Sequence, residues 1–453
     1  MQPLPKEFEE QMKRLLGEAG FFAYLDALNQ PYTRALRVNL LLRPDGTPPC
    51  PIEGLGAPVP WAKGAYFVEG DARPGLSPLH EGGLFYMQEP SALTAVTALD
   101  PQPGERVLDL CAAPGGKSTQ IAALMAGRGL LCCNEPIPSR AQILSRNIER
   151  MGVRNAVVLS AMPDALAPRF PAFFDRILVD APCSGEGMFR RQPEARDEWD
   201  ADAPRRCADR QMEILAQAAK MLRPGGTMVY STCTFNDTEN EGVLKRFLAL
   251  HPEFSLAPFS LPGLPEAKDG YLHLYPHEMR GEGHFVSRLK KADGADEADA
   301  PVQAAPQRKA PARAAAKGKA PAPIALPDVF SDAFAPERLY TAGDALWMLP
   351  EGISIEQLSG LRVLRTGLLL AHAEGKRSEP DHALAMALRP EEAARTASLT
   401  QAQALAYQAG ETLSLGDLPG GYTLLCCEGV SLGWGKQAGG LMKNHYPKGL
   451  RRR

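Results

Sequence analysis

The sequence lacks an apolar run of the roughly 18 residues that a membrane-spanning helix needs, so no membrane span and no membrane partner is expected. Its first residues, "MQPLPKEFEEQMKRLL", lack the apolar core of a signal peptide and read as an amphipathic helix beginning after Pro5. Nine cysteines are an odd number in a chain without an export signal, so a disulfide framework is not expected. There is no C-x-x-C, and the histidines lie far from the cysteines, which argues against a zinc site; no metal is expected. Net charge is only −3, so any nucleic-acid surface must be local rather than global.

What is present is enough for several domains: 453 residues, 44% of them hydrophobic. Residues 1–75 combine helical periodicity with a basic stretch, "PYTRALRVNLLLR", and read as a small α+β domain. Residues 76–290 alternate strand and helix patterns. "RVLDL", "GLLCCNE", "NAVVLS", "RILVDA" and "GTMVYSTC" are short apolar runs with amphipathic segments between them, which predicts a parallel α/β sheet covered on both faces. Residues 291–327 are almost pure Ala, Pro, Lys, Arg and acid and read as a disordered linker. Residues 328–453 become globular again, with short strand patterns and Gly-rich turns. The adjacent pairs Cys132-Cys133 and Cys426-Cys427 fall in apolar runs and read as buried thiols.

The stretch "LDLCAAPGGKST" resembles a triphosphate-binding loop at Gly116, Lys117 and Ser118, but Cys111 stands where that loop opens with glycine. The dinucleotide fingerprint G-x-G-x-x-G also fails, since only Gly115 and Gly116 stand in tandem. The second predicted strand ends in Glu135, an acid placed to accept hydrogen bonds from ribose hydroxyls. A ligand with a ribose and no phosphate suits an acid-rich pocket, and S-adenosylmethionine is such a ligand. Asp164, after the third strand, could reach the adenine edge; as a loop aspartate it could equally be a turn residue.

Two further cysteines follow strand ends: Asp180-Ala-Pro-Cys183 after the fourth strand and Ser-Thr-Cys233 after the fifth. That edge of an open α/β sheet is where ligands bind. Carbon 5 of a pyrimidine becomes nucleophilic enough to take a methyl group once a thiolate has added to carbon 6. Asp180 suits the stabilisation of that adduct, and a base must remove the carbon-5 proton before the thiol leaves. Spacing alone does not choose which thiol attacks.

At "YMQEPSA", "LDLCAAPGGKST", "NEP", "ILVDAPCSGEGMFR" and "YSTCTFNDTENE" the chain resembles the RNA cytosine-5 methyltransferases of the Sun and nucleolar-protein type, in particular the bacterial RsmF branch. The resemblance implies a seven-stranded Rossmann-like methyltransferase sheet whose last strand is "GEGHFVSRLKK". It implies that Cys111, Ala112, Ala113, Pro114, Gly115, Gly116 and Lys117 wrap S-adenosylmethionine. Glu135 would take its ribose, Asp164 would lie near adenine and Asp180 beside the methyl group and target base. Cys233 would be the nucleophile and Cys183 its helper in product release. The N-terminal segment would face RNA, with Arg34, Arg37 and Asn39 meeting phosphate.

The C-terminal region resembles a PUA-like, β-rich RNA-binding module. There Lys436, Lys443, Lys448 and the last arginines would supply charge, and Trp434, His445 and Tyr446 could stack on bases; Trp434 could instead be core. The expected activity is methylation of cytosine carbon 5 in small-subunit (16S) ribosomal RNA by a cytoplasmic monomer. The alternatives are a transfer-RNA methyltransferase of the same type and a non-catalytic RNA-binding assembly factor.

Overall fold

Helix α1 (Lys6–Leu28) starts directly after Pro5, as expected, and turns at Gly17, whose φ of 68° lies outside the helical range. It buries Phe8, Met12, Phe21 and Tyr24 against Phe189, Trp199 and Phe235. The chain then forms an antiparallel sheet of β1 (Arg34–Val38), β2 (Leu55–Pro58), β3 (Ala65–Val68) and β4 (Phe85–Gln88), in the order β2-β3-β1-β4. This sheet takes in residues to Gln88, beyond residue 75 where the sequence analysis placed a boundary. The computed structural model describes residues 3–294, 324, 328–329, 336–374 and 377–452. Most of the segment read as a linker, 291–327, therefore lies outside the described residues.

The five apolar runs form the parallel strands β5 (Arg106–Asp109), β6 (Leu130–Asn134), β7 (Ala156–Leu159), β8 (Phe174–Asp180) and β9 (Leu222–Thr232). They are apolar almost throughout, without alternation, because helices cover both faces of the sheet. The main covering helices are α2 (Gly116–Leu124), α3 (Pro138–Arg150) and α4 (Ala203–Met221). Beyond β9 come β10 (Phe254–Leu256), β11 (Tyr271–Leu274) and β12 (His284–Lys291), all antiparallel to their neighbours, and β12 is the run expected as the last strand. The order β7-β6-β5-β8-β9-β12 puts a reversal between β5 and β8, so the loops at their carboxyl ends diverge and leave a crevice.

The C-terminal region divides into two sheets. One holds β13 (Leu339–Ala342), β14 (Ala345–Met348), β16 (Leu368–Glu374) and β17 (Arg377–Pro380). Between them in sequence, β15 (Val363–Arg365) leaves its neighbours and extends the central sheet beside β7, where Arg365 makes an ion pair with Glu149 of α3. The other sheet holds β18 (Thr396–Ser398), β19 (Gly421–Cys427), β20 (Val430–Ala438) and β21 (Leu441–Asn444). Both share a core that includes Leu346, Leu370, Leu424 and Trp434. A second core joins Leu36, Val38 and Phe85 of the N-terminal sheet to Tyr407, Leu432 and Tyr446. Arg452 adds hydrogen bonds to the carbonyls of Leu76 (2.6 Å) and Ser77 (2.9 Å). The C-terminal region is thus docked on the N-terminal sheet, a placement the sequence left open. Cys132, Cys133, Cys426 and Cys427 are all buried, as read.

Candidate active site

After Asp109 at the end of β5, the chain turns through Cys111, Ala112, Ala113 and Pro114 to the first turn of α2. Gly115 has φ 110°, a left-handed conformation that glycine adopts without strain. A Cβ on Gly116 would stand 3.2 Å from the Tyr86 ring, so this glycine lets α2 approach β4. Ser118 Oγ donates to Asp109 Oδ2 at 2.6 Å, and the other carboxylate oxygen has no partner among the described residues. Complete burial pushes the Asp109 carboxyl up to about 7, with the Ser118 hydrogen bond acting the other way.

Arg37 corrects the sequence analysis. It is 1% exposed and donates to Thr119 Oγ1 (2.8 Å) and the carbonyl of Gly116 (3.2 Å). It braces the first turn of α2 from β1 and meets no phosphate. Asn39, equally buried, donates to the carbonyls of Gly83 and Met151. Arg34 spends its guanidinium on the carbonyls of Ala72 and Gly70. A basic strand with both faces covered looks, in sequence, like a basic surface.

Glu135 follows β6 and is 3% exposed. Its Oε1 accepts the Ile137 N–H at 3.0 Å and its Oε2 lies 3.3 Å from Arg140. Asn134 was missed: its side chain bonds the carbonyls of Leu110 (3.2 Å) and Ala161 (3.0 Å) and accepts the Ala161 N–H, tying three strand ends together. Asp164 is exposed on the short helix Pro163–Leu166. One cavity of about 700 Å³ is lined by Cys111, Glu135, Asp164, Asp180, Cys183 and Cys233, so these expected site residues converge. Its outer wall, from Arg210, Glu213 and Gln217 of α4, was not foreseen; in sequence α4 is an ordinary amphipathic helix.

Adjacent strands β8 and β9 deliver the two thiols, with Cys183 Sγ 3.3 Å from Cys233 Sγ. The hydrogen bond with Cys233, and then burial, push the Cys183 thiol well above its ordinary range. Asp180 Oδ2 accepts from Lys117 Nζ at 2.8 Å and Oδ1 from Ser231 Oγ at 2.8 Å. Burial opposes ionisation of Asp180, but Lys117 and His284 outweigh it and hold the carboxyl well below its usual range. Lys117 therefore does not reach for a phosphate.

Two buried carboxylates fasten the loops that carry the thiols. Glu239 accepts from the Ser184 N–H (3.1 Å), Gln211 (2.8 Å) and Asn236 (2.9 Å). Glu186 accepts the N–H groups of Phe235 (2.8 Å) and Asn236 (3.0 Å). The acids of "SGEGMF" and "NDTENE" were visible in the sequence, but nothing there showed that they face each other across Asn236.

Lys443 and Lys448 are exposed, and Lys436 lies over the Tyr422 ring, 4.6 Å from its centre. Stacking by Trp434 and Tyr446 is ruled out by burial. Trp434 donates to the Asp381 carbonyl at 2.8 Å, and Tyr446 packs edge-on to Tyr407. His445 is half-buried and bonds Glu379 at 2.9 Å.

Known families match consecutive parts of the chain: the N-terminal domain of 16S rRNA methyltransferase RsmF over 4–90, 16S rRNA methyltransferase RsmB/F over 96–290, the RsmF first C-terminal domain over 327–388 and the RsmF PUA domain over 394–452. Ribosomal RNA small subunit methyltransferase F of Erwinia tasmaniensis is 34% identical, covering 98% of this chain and 96% of its own. That of Klebsiella pneumoniae is 34% identical with the same coverage. A methyltransferase homolog from Pyrococcus horikoshii, 30% identical, superposes with TM-score 0.54 over 63% of this chain and 95% of its own. NSun6 from the same organism shares the fold, with TM-score 0.54 and 24% identity over 64% and 98% of the two chains.

Proposed function

The chain belongs to the RsmF family of small-subunit ribosomal RNA methyltransferases, and from that premise we propose that it methylates carbon 5 of a cytosine in 16S ribosomal RNA through a covalent adduct on Cys233. S-adenosylmethionine supplies the methyl group as an electrophilic sulfonium. The residues present fit this cofactor: the cavity carries Glu135 and Asp164 for a ribose and an adenine edge, while the loop lysine is occupied by Asp180. An acid-lined pocket with no free lysine at the loop suits a cationic, phosphate-free ligand better than a triphosphate.

The observation that carries the reading is the thiol pair, 3.3 Å apart, in the same cavity as Asp180. Cys233 thiolate adds to carbon 6, forming the S–C bond and making carbon 5 electron-rich. Asp180 faces the base edge as an anion, where it accepts from the exocyclic amine and stabilises the adduct while the ring nitrogen holds a proton taken from solvent and returned when the sulfur leaves. After methyl transfer, carbon 5 carries both a hydrogen and the methyl group. Cys183, having released its own proton to solvent, takes that proton as a thiolate; the electron pair re-forms the C5–C6 double bond and the Cys233 sulfur leaves as a thiolate. The hydrogen bond with Cys233 and burial both hold a proton on Cys183, and that proton must leave before the thiol can act as the base.

The reading carries with it a monomer acting in the cytoplasm on ribosomal RNA, with the PUA-family region adding RNA contacts. Among the described residues no helix is long and apolar enough to cross a membrane. Bisulfite sequencing of 16S ribosomal RNA and transfer RNA from a deletion strain tests the substrate. Loss of a 16S 5-methylcytosine is expected; loss confined to transfer RNA would overturn the ribosomal assignment.

A further inference from the structure

His284 opens β12 and is 3% exposed. Its Nε2 lies 3.5 Å from Asp180 Oδ1, at the outer limit of a hydrogen bond, and among the described residues it makes no well-formed one. A buried ring nitrogen left unsatisfied is costly, so the position calls for a partner that completes it.

The turn that delivers the imidazole is fixed from several sides. Gly283 has φ 108°, and a Cβ there would sit 2.5 Å from the Phe235 ring and 2.9 Å from the Leu274 carbonyl. Glu282 is clamped by Arg190 at 2.7 Å and accepts the Thr33 N–H at 3.0 Å, while its own N–H donates to Glu89 at 2.8 Å. The ring is therefore held at Asp180 by the N-terminal domain and by the loop that follows Cys183.

Asp180 meets donors from α2 (Lys117) and β9 (Ser231) at full hydrogen-bond distance, and from β12 at a longer one. Rotation of a carboxylate about its last torsion is soft, and two donors leave it room to swing. Hydrogen bonds within a catalytic site are often long without substrate and tighten in the complex.

We propose that His284 is a positioning residue for methyl transfer: its Nε2–H closes on Asp180 Oδ1 when the target base enters, fixing the carboxylate with its oxygens turned to the ring edge. This rests on Asp180 being the acid beside the base. His284 touches neither substrate nor cofactor; it acts through Asp180. The transfer step depends on it, and binding of RNA and of S-adenosylmethionine does not.

The test is steady-state methylation of 16S ribosomal RNA by the full chain carrying His284→Phe, His284→Gln or His284→Asn, beside Asp180→Asn. His284→Phe should lower kcat about tenfold, the loss of one hydrogen bond to a charged group, with both KM values within about twofold of wild type. His284→Gln, whose amide reaches the same oxygen, should recover most of kcat, and His284→Asn, one methylene shorter, should not. If His284→Phe does not fold, the Gln and Asn pair still decides. Wild-type kcat in His284→Phe, or equal impairment of Gln and Asn, overturns the proposal. Full activity of Asp180→Asn overturns instead the role given to Asp180 itself.

Discussion

Lys117 Nζ lies 2.8 Å from Asp180 Oδ2, so the lysine of the glycine loop is paired with the acid at the end of β8. This one contact joins the glycine loop to the end of β8, three residues before Cys183. It also shows why a loop so close to the triphosphate pattern does other work. A phosphate-binding lysine points outward from its loop; this one is turned inward and 13% exposed.

Lys117→Met leaves the half-buried Asp180 without its main counter-charge. The Asp180 carboxyl now sits below its usual range, so its ionised form contributes stability above the unfolded pKa, and that contribution is lost as pH falls through the folded value. Removing Lys117 raises the folded value and moves the loss to higher pH. The variant should be less stable by about 2 kcal/mol at neutral pH. The acid limb of its kcat profile should shift upward, as read by calorimetry and a pH series. An unmoved acid limb would show that Lys117 does not control Asp180.

Arg37→Ala separates the structure from the sequence reading. As a brace for α2, Arg37 supports the glycine loop proposed to hold S-adenosylmethionine, so the variant should lose stability by about 2 kcal/mol and bind that cofactor more weakly. The salt dependence of its RNA affinity should match wild type. A shallower salt slope with intact cofactor binding would restore the phosphate contact.

Glu135→Ala should weaken S-adenosylmethionine binding by about 1–3 kcal/mol, the loss of charge-assisted hydrogen bonds to the ribose. Titration calorimetry reads this directly. Unchanged affinity would remove Glu135 from the cofactor site.

The five parallel strands, the glycine loop and the acid after β6 were legible because each is written locally: an unbroken apolar run, a tandem glycine, an acid at a strand end. Burial that depends on distant partners was not. Arg37 and Asn39 sit in a short basic stretch, and only the approach of α2 and of the Gly83 turn shows that they face inward. Trp434 and Tyr446 lie among lysines and arginines, yet they fill the cores beneath β20 and against the N-terminal sheet. Strand β15 is three residues long and is placed only by its pairing with β7. His284, too, is an isolated histidine in sequence and meets Asp180 only through the pairing of β12 with β9.

Truncating the C-terminal region would strip Leu36, Val38 and Phe85 of their cover, so RNA contacts are better tested by point changes at exposed positions. Lys443→Ala and Lys448→Ala should each weaken RNA binding, and each should reduce the slope of log affinity against log salt by about 0.7–0.9. Methyl transfer at saturating RNA should not change. Unaltered affinity at low salt in the double variant would place the RNA on another surface.

The covalent route turns on which sulfur bonds to carbon 6. Cys183→Ala keeps the thiol proposed to attack and lacks the one proposed to take the carbon-5 proton. Incubated with S-adenosylmethionine and 16S ribosomal RNA, it should methylate the base and then hold it, giving a protein–RNA band that survives a denaturing gel. Cys233→Ala and the double variant should give no such band and transfer no methyl group. Trapping by Cys233→Ala in place of Cys183→Ala would hand the attack to Cys183, and full activity of both single variants without trapping would contradict the covalent route.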